Sequence, residues 1–394
     1  MFEALKEQPA DKILMLMQMY REDPREQKID LGVGVYKNAE GVTPIMRAIK
    51  AAEQKWWGEE TTKAYTGLAG DPAFSDAMIG LVLGDAVPRE SVAAVATPGG
   101  TGAVRQAFEL VKMVNPNVRV HVSDPTWPNH LSILKHLGIE AVPYRYFDEA
   151  TCAVDFAGMM EDLEKVEAGD VVLLHGCCHN PTGANLNNEQ WDQLAASLAR
   201  TGALPFIDLA YLGFGDGIEP DAYGTRKILA SVPEAMIAFS GSKNFGLYRE
   251  RIGAAILVAR DGEQADVTNS QLLNIIRGAY SQPPDHGAEI IRTILEDADL
   301  RAEWEAELAE MRNRMIVLRE KLAAAIRERS NSSDFDFVAD HRGMFSLLGL
   351  PVEAVDHLKA ENGVYMTSDS RINVAGIPED RVGDLADAVL AAIR

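Results

Sequence analysis

The sequence predicts an α/β fold, with a large domain built on a mostly parallel, doubly wound sheet and a smaller α+β domain beside it. Helical patterns of apolar residues alternate with short apolar runs up to about residue 300, as in doubly wound sheets. Five of these runs are typical of buried parallel strands: residues 92–96, 118–122, 171–174, 204–207 and 235–239. With 394 residues, 47% of them hydrophobic, the chain is long enough for two domains.

Residues 44–300 are predicted to form the large domain, and residues 1–43 together with 301–394 the small one. The boundary rests on Thr43 and Pro44, because proline suits the first position of a helix, which we expect to start there. In the small domain, Trp304 begins an apolar pattern of helical spacing that predicts one long amphipathic helix. Strands are expected after it at residues 335–338, 344–348 and 372–374.

Lys243 follows the run 235–239, at the carboxyl edge where open α/β sheets bind ligands. A lysine that acts as a nucleophile must be unprotonated near neutral pH, which burial and nearby positive charge favour. Ser240, Ser242 and Arg251 are suited to a phosphate, as two hydroxyl donors and a guanidinium that stays charged. A surface lysine in a polar turn is the alternative, and this segment alone does not decide.

Two further runs end in residues that suit a flat, phosphorylated ligand. Gly100 and Thr101 open a helical pattern, where backbone N–H groups and the positive end of a helix can meet a phosphate. Trp127 stands between two prolines, where its indole could stack on a ring or simply anchor a loop. Asn180 lies in an Asn-Pro-Thr-Gly turn. Asp208 ends a buried run, where a carboxylate needs a cation such as a protonated pyridine nitrogen.

Together these segments resemble the aspartate and aromatic amino-acid aminotransferases, which are class I, fold-type I pyridoxal-phosphate enzymes. The resemblance runs from residues 31–37 to residues 370–373 and is strongest to the bacterial aromatic (tyrosine) members. It implies pyridoxal 5'-phosphate as cofactor and a homodimer with shared active sites. It also implies ping-pong transamination between tyrosine, phenylalanine, aspartate or glutamate and 2-oxoglutarate or another 2-oxo acid.

The resemblance assigns the cofactor-binding roles residue by residue. Lys243 would form the aldimine with the cofactor and then move the proton at the substrate Cα. Asp208 would pair with the ring nitrogen, Tyr211 and Asn180 would hold the phenolic oxygen, and Trp127 would stack on the ring. The phosphate would be bound by Gly100, Thr101, Ser240, Ser242, Arg251 and the partner subunit's Tyr65.

The same resemblance implies the substrate-binding residues. Arg371 would grip the α-carboxylate through its planar fork, helped by Asn180, Trp127 and the backbone at Gly34. Taken without the family, Arg371 in its polar run is a solvated surface charge. Arg277 would reach across the dimer to the side-chain carboxylate of aspartate or glutamate.

The histidines and cysteines are expected to support the site rather than to carry chemistry. His130 would back Asp208, and His175 would be a hydrogen-bonding group behind the site. Cys177 and Cys178 are interpreted as two small buried thiols, because the spacing of cysteine and histidine does not suit zinc. We expect no metal.

The preferred amino donor stays open at this point. One set of residues could leave room for an aromatic ring: Val33, Val35, Ala64 and Gln282. Another matches the aspartate-preferring pattern: Lys37, Thr43 and Thr101. A strict aspartate aminotransferase is therefore the alternative, ahead of a pyridoxal-phosphate-dependent β-lyase or decarboxylase, and a cofactor-binding regulatory module is a third hypothesis.

Charge and composition limit the partners. The 38 basic and 59 acidic residues give a formal charge of −21, which disfavours nucleic acid and anionic membranes. Three cysteines suit a reducing compartment. The first twenty residues mix charged with apolar side chains, and no apolar run approaches the ~20 residues of a membrane span. We therefore expect a cytoplasmic enzyme without membrane or nucleic-acid partners.

Overall fold

The structure is a computed structural model that describes residues 1–7 and 10–394. Its helices are α1 (Lys12–Glu22), α2 (Arg47–Glu59), α3 (Pro72–Leu83), α4 (Gly99–Val114), α5 (Pro128–Leu137), α6 (Phe156–Leu163), α7 (Asn188–Thr201), α8 (Ile218–Leu229), α9 (Gly262–Ala279), α10 (His286–Glu296), α11 (Ala298–Ser330), α12 (Phe337–Asp340), α13 (Val352–Asn362) and α14 (Val382–Ala392). Its strands are β1 (Ile29–Asp30), β2 (Val92–Pro98), β3 (Arg119–Asp124), β4 (Glu140–Arg145), β5 (Phe147–Asp148), β6 (Ala153–Val154), β7 (Val171–His175), β8 (Leu204–Leu209), β9 (Ala235–Ser240), β10 (Ile252–Val258), β11 (Phe345–Leu347), β12 (Val364–Tyr365) and β13 (Arg371–Asn373).

A seven-stranded sheet with the order β2-β10-β9-β8-β7-β3-β4 organises the larger part of the chain. The neighbours from β9 to β4 are all parallel, and β10 runs antiparallel between β2 and β9. The expected α/β fold with a mostly parallel sheet is therefore confirmed. The five predicted strands are β2, β3, β7, β8 and β9, so their carboxyl ends meet at one edge.

Apolar residues cover both faces of this sheet, as the continuous apolar runs predict. In β8, Phe206 belongs to one hydrophobic core and its neighbour Ile207 to the other. In β9, Ala238 and Ile237 are divided in the same way. Since successive side chains of a strand point to opposite faces, helices pack on both sides of the sheet. Polar residues can then gather only where the strands end.

The C-terminal part contains the long predicted helix, α11, and the two-stranded sheet of β11 and β13. Its strand β12 pairs with β1 from the N-terminal part. Strands were correctly expected near residues 344–348 and 372–374, but the prediction of a strand at residues 335–338 is wrong. Asp336 N donates to Ser333 O and Val338 N to Phe335 O, so the chain turns here and continues as the short helix α12. The alternating phenylalanines imitate a strand pattern without belonging to one.

Helix α2 begins at Arg47 rather than at Pro44, so the expected helix start is wrong by three residues. The reason lies far along the chain in α11. The buried Glu307 carboxylate accepts from Arg47 N at 2.7 Å and from Ala48 N at 2.9 Å. A side chain from another helix therefore caps α2, a role that residues just before a helix usually fill.

None of the helices in the described part of the chain combines the length and apolarity that crossing a membrane would need.

Candidate active site

A cavity of about 300 Å³ lies at the carboxyl edge of the large sheet. Most of the residues selected from the sequence line it: Gly34, Gly100, Thr101, Trp127, His175, Asn180, Asp208, Tyr211, Ser240, Ser242, Lys243, Arg251 and Arg371. They come from distant parts of the chain and meet because parallel strands end at the same edge. Tyr65 and Arg277 are absent from the described lining.

Lys243 follows β9 in a turn and points into this cavity, with its Nζ 5.0 Å from the centre of the Tyr211 ring. Burial lowers the pKa of Lys243 below its ordinary value. The nearby Arg251 acts in the same direction, whereas Asp208 opposes it. The amine is thus easier to deprotonate than a surface lysine, which a nucleophile or base requires.

Asp208 lies at the end of β8, directly beside His175 in the register of the sheet. Its Oδ2 is 2.9 Å from His130 Nε2, and the other ring nitrogen of His130 is 2.9 Å from Thr126 Oγ1. Burial by itself would raise the pKa of Asp208, but the hydrogen bond from His130 outweighs this effect and holds the pKa below its ordinary value. Asp208 therefore presents an ionised carboxylate to the cavity.

Hydroxyl groups and a guanidinium gather at the opposite end, where α4 begins. Ser240 and Ser242 are buried, and Arg251 Nη1 lies 3.5 Å from Ser242 Oγ. The start of α4 approaches them so closely that a Cβ on Gly100 would lie 2.8 Å from Ser240 Cβ. A Cβ on Gly99 would lie 2.4 Å from Arg251 Nη2. This arrangement of donors at a helix N-terminus is suited to an anion.

Arg371 emerges from β13 at the other side of the cavity. Its Nη1 donates to Asn180 Oδ1 at 3.3 Å and its Nη2 to Gly32 O at 3.2 Å, while its Cζ lies 4.3 Å from the Phe345 ring centre. Burial lowers the pKa of Arg371, although Tyr211 and Asp369 oppose this. Each of these bonds uses one N–H of its nitrogen, so Nη1 and Nη2 each keep a second N–H that a carboxylate could accept from.

His175 also lines the cavity, and burial keeps its side chain neutral. Burial lowers the pKa of His175 to about 3, with a further contribution from His130. Its Nε2 is 3.2 Å from Thr126 Oγ1, and Asn180 N donates to its Nδ1 at 3.4 Å. His175 thus links Asn180 to the hydrogen-bonded group behind Asp208.

Five lining residues were not among those selected from the sequence: Ile13, Cys177, Ala210, Tyr248 and Phe345. Tyr248 OH accepts from Tyr36 N at 2.9 Å, and burial raises the pKa of Tyr248 to about 12. Tyr248 stands five residues after Lys243, so its nearness to the lysine was a usable signal. Ile13 and Phe345 reach the cavity from segments whose apolar patterns gave no such signal.

Tyr65 and Arg277 lie on the surface of the single chain. Tyr65 is 92% exposed, and the exposed Arg277 donates from Nη1 to Ser281 Oγ at 2.6 Å. Neither is brought to the cavity of its own chain. Their expected roles belong to a second subunit and stay predictions.

Cys177, Cys178 and Asp221 form a compact cluster next to the cavity, with ligand atoms within 4.8 Å of one another. Its chemistry is poorly suited to a metal. Both Asp221 oxygens are engaged, accepting from the backbone N–H groups of Gly213, Gly215 and Asp216. The hydrogen bond to Cys178, with burial, raises the pKa of Cys177, and burial raises that of Cys178. Neutral thiols are poor ligands, so the expectation of no metal stays our prediction.

Comparisons with known proteins agree with this geometry. The family described as Aminotransferase class I and II matches residues 26–389. The chain is 55% identical over 386 residues to an aromatic-amino-acid aminotransferase from Paracoccus denitrificans, covering 98% of each chain. It is 44% identical to an aspartate aminotransferase from Haemophilus influenzae, covering all of both chains.

Solved structures are similarly close. One is an aromatic amino acid aminotransferase with 3-indolebutyric acid, with 54% identity, a TM-score of 0.97 and full coverage of both chains. Another is the aromatic-amino-acid aminotransferase from Burkholderia pseudomallei covalently bound to pyridoxal phosphate. It has 38% identity and a TM-score of 0.97, and the match covers 100% of this chain and 99% of that one.

Proposed function

The chain belongs to the class I and II aminotransferase family, and on that premise we propose that it exchanges amino groups between an aromatic or dicarboxylic L-amino acid and a 2-oxo acid such as 2-oxoglutarate. The observation that carries the proposal is one cavity shared by Lys243, Asp208 and Arg371. These residues provide an amine of lowered pKa, a carboxylate held ionised, and a guanidinium with a free donor. Together they suit an amino acid that reacts on a pyridine ring.

Pyridoxal 5'-phosphate is the cofactor that we propose, because the cavity offers donors for its phosphate and an acceptor for its ring nitrogen. Ser240, Ser242, Arg251 and the start of α4 offer hydroxyl, guanidinium and backbone donors to the phosphate. Because Gly100 has no side chain, the backbone at the start of α4 can approach Ser240 closely. Asp208 offers its carboxylate to a protonated ring nitrogen, and the aromatic side chains of Trp127 and Tyr211 also line the cavity.

The chemistry divides between the cofactor and this chain's own residues. When bound, pyridoxal phosphate supplies an aldehyde that condenses with amines and a ring that accepts the electron pair released at the substrate Cα. Lys243 would hold the cofactor through Nζ, and its amine would move the proton at the substrate Cα as general base and acid. Asp208 keeps the ring nitrogen protonated, and His130 keeps Asp208 ionised and oriented.

Arg371 is proposed to bind the substrate α-carboxylate. Its contacts with Asn180 and Gly32 use one N–H each of Nη1 and Nη2, so the second N–H of each nitrogen could bind a carboxylate. The Phe345 ring packs against the guanidinium plane and limits its rotation. A fixed carboxylate would leave the Cα–H bond rather than the bond to the carboxylate as the one that Lys243 can act on, which favours transamination over decarboxylation.

Substrate choice depends on the other end of the amino acid. Trp127, Phe345 and Ile13 offer apolar surface near the cavity, which suits an aromatic ring. A carboxylate side chain needs a cation, and we propose the partner subunit's Arg277 for it. The strict aspartate aminotransferase is the second candidate, favoured by the 44% identity to the Haemophilus influenzae protein.

A homodimer is part of this proposal. The first helix and the residues before it carry exposed apolar side chains, such as Phe2 at 79%, Leu5 at 73% and Leu14 at 64%. Exposed apolar residues grouped in one segment are typical of an interface. The partner subunit's Tyr65 would then reach the phosphate. We also propose a cytoplasmic location and the division into residues 44–300 and the remainder.

The test begins with purified protein and added pyridoxal phosphate. We expect a yellow protein whose absorbance band depends on pH, and amino transfer from tyrosine, phenylalanine and aspartate to 2-oxoglutarate. Lys243→Ala should lose both the band and the activity, whereas Lys165→Ala, at an exposed site, should keep both. Protein that takes up no pyridoxal phosphate would overturn the proposal.

The products separate transfer from the other reactions of the same cofactor. Amine should appear on the acceptor only when a 2-oxo acid is present. Release of ammonia or CO₂ in the absence of an acceptor would instead indicate a β-lyase or a decarboxylase. A Lys243→Ala protein that kept its full biological effect would favour a regulatory module.

A further inference from the structure

Arg319, in the middle of α11, is a fully buried cation with 0% exposure. Its four hydrogen bonds go to neutral oxygen atoms rather than to a carboxylate. Nη1 donates to Ser346 Oγ at 2.6 Å and to Val338 O at 3.3 Å. Nη2 donates to Gly343 O and to Phe345 O, both at 2.7 Å. The guanidinium thus binds the segment that leads into β11.

Burying a charged guanidinium in a hydrophobic core costs free energy. Burial lowers the pKa of Arg319 to about 9, so the folded protein destabilises its charge. Buried ionic groups can often be replaced by apolar side chains of similar volume without loss of stability, whereas a fixed fork of donors can specify a single geometry. The position of the carbonyl groups that Arg319 binds is therefore the feature to explain.

Those carbonyl groups fix a tightly enclosed turn. Gly343 has a φ of +81°, which favours glycine, and a Cβ there would lie 2.4 Å from Cys178 Cβ. Phe345 O is equally confined, because a Cβ on Gly183 would lie 2.1 Å from it. Arg319 therefore presses this turn against the loop that contains Cys178, Asn180 and Gly183.

This turn also positions the two side chains next to Arg371, Phe345 and Asn180. Phe345 stacks on the Arg371 guanidinium at 4.3 Å, and Asn180 accepts from it at 3.3 Å. In the β11–β13 pair, Leu347 lies opposite Arg371 and Phe345 opposite Asn373. Asn373 Nδ2 donates to Val33 O and Val35 O on either side of Gly34. Two contacts of Arg371, those with Phe345 and Asn180, therefore depend on the turn that Arg319 holds and on the loop packed against it.

We propose that Arg319 is a positioning residue for the substrate α-carboxylate: without touching the substrate, it holds the Gly343–Ser346 turn so that Phe345 and Asn180 orient the Arg371 guanidinium. The proposal deepens the proposed function and rests on it. Phosphate binding and the ring-nitrogen contact lie on other elements, β9, α4 and β8. Removing the Arg319 guanidinium should weaken carboxylate binding and leave the contacts of the phosphate and of the ring nitrogen unchanged.

The test uses the pyridoxal-phosphate-loaded enzyme and 3-indolebutyric acid, which has a carboxylate and an indole but no amine. Its Kd is measured by calorimetry and by the change in cofactor absorbance. We expect Arg319→Met to raise this Kd about tenfold, as the loss of one well-oriented charged hydrogen bond would. The KM for tyrosine should rise similarly with a smaller change in kcat. Arg319→Lys should recover part of the affinity.

A matched control separates positioning from stability. Arg226 also donates to backbone carbonyls, those of Leu81 and Val82, but in the large domain away from the cavity. Arg226→Met should lower the melting temperature and leave the Kd for 3-indolebutyric acid unchanged. If Arg319→Met lowers the melting temperature but leaves the Kd for 3-indolebutyric acid at the parent's value, Arg319 has only a structural role and the proposal is wrong.

A milder variant covers the case in which Arg319→Met does not fold. Ser346→Ala keeps the buried cation and removes one of its four partners, and we expect a Kd about threefold above the parent's. A folded Ser346→Ala enzyme with the parent's Kd would overturn the proposal. An active parent combined with unaffected variants contradicts this inference alone, whereas a parent that binds no pyridoxal phosphate contradicts the proposed function as well.

Discussion

His130 Nε2 lies 2.9 Å from Asp208 Oδ2, although 78 residues separate the two in sequence. A carboxylate only accepts hydrogen bonds, so Nε2 carries the proton and donates it. That tautomer leaves Nδ1 as an acceptor, and Thr126 Oγ1 lies 2.9 Å from it. One buried hydroxyl thus fixes the histidine, and the histidine fixes the carboxylate. Asp208 is therefore held as a charged carboxylate in a largely buried position.

The first prediction concerns that charge. Asp208→Asn keeps the size of the side chain but cannot hold a proton on the ring nitrogen, so kcat should fall by at least about 10²-fold. The affinity for pyridoxal phosphate should also fall, which equilibrium dialysis would measure. The position of the cofactor's absorbance band should change as well, because the ring loses its proton.

His130 provides the graded comparison. His130→Gln retains a donor to Asp208, so we expect a loss of kcat well below that of Asp208→Asn. An Asp208→Asn enzyme with the parent's kcat would show that Asp208 does not face the ring nitrogen. Equal losses in the two variants would indicate that the orientation of Asp208 matters as much as its charge.

The second prediction concerns substrate choice. Arg277→Leu should lower kcat/KM for aspartate by about 10- to 100-fold, the effect of losing a charge-assisted hydrogen bond. The value for tyrosine should change little, because an aromatic ring needs no cation. Both kcat/KM values are measured with 2-oxoglutarate as the acceptor and with the amino donor at concentrations below saturation.

Arg260→Leu is the control, since Arg260 is an exposed arginine whose partner is Glu234. Arg260→Leu should leave kcat/KM unchanged for both aspartate and tyrosine. If the parent does not accept tyrosine at all, the enzyme is a strict aspartate aminotransferase. If Arg277→Leu leaves aspartate unaffected, another residue binds the side-chain carboxylate.

Most of the cavity could be predicted because its residues follow strands that the sequence displays clearly. A buried parallel strand is a continuous apolar run, so its end is visible, and ends of parallel strands share an edge. Lys243 after β9 and Asp208 in β8 were found in this way. Local signals of this kind do not depend on which distant residues pack together.

Contacts between distant segments could not be predicted. Nothing in the sequence near Arg47 shows that Glu307 will cap its helix, and nothing near Arg319 shows that its partners are carbonyl groups. At residues 335–338, spacing alone favoured a strand, whereas local turn hydrogen bonds form α12. The sequence pattern of Arg371 suggests a surface charge, and only its place between Asn180 and Phe345 makes it part of the cavity.

The third prediction is a pH dependence of stability at His341. Burial, together with the nearby Arg319, lowers the pKa of His341 from its usual 6.5 to about 4. Between these values the unfolded chain binds a proton that the folded protein does not, so stability is lost as the pH falls below 6.5. The loss linked to this residue should reach about 2 kcal/mol at pH 5.

His341→Gln should remove that part of the pH dependence. Urea midpoints of the cofactor-loaded parent and variant are compared at pH 7.5 and pH 5, at one protein concentration. The variant should lose less stability on acidification than the parent, and contributions from other groups cancel in the difference. A parallel shift of both proteins would mean that His341 titrates normally in the folded state.

The fourth prediction concerns the cap that α11 supplies to α2. Glu307 accepts from two backbone N–H groups at the start of α2, so Glu307→Ala leaves both without a partner and places no anion at the positive end of the helix. We expect a loss of about 1–2 kcal/mol in the free energy of unfolding, and about half of that for Glu307→Gln, which keeps one acceptor.

Glu303→Ala is the control, because Glu303 contacts only the exposed Arg47 side chain at 3.3 Å and such surface pairs contribute roughly 0–1 kcal/mol. Equal losses in the alanine variants, measured by urea unfolding, would show that charge near Arg47 rather than capping stabilises this helix start.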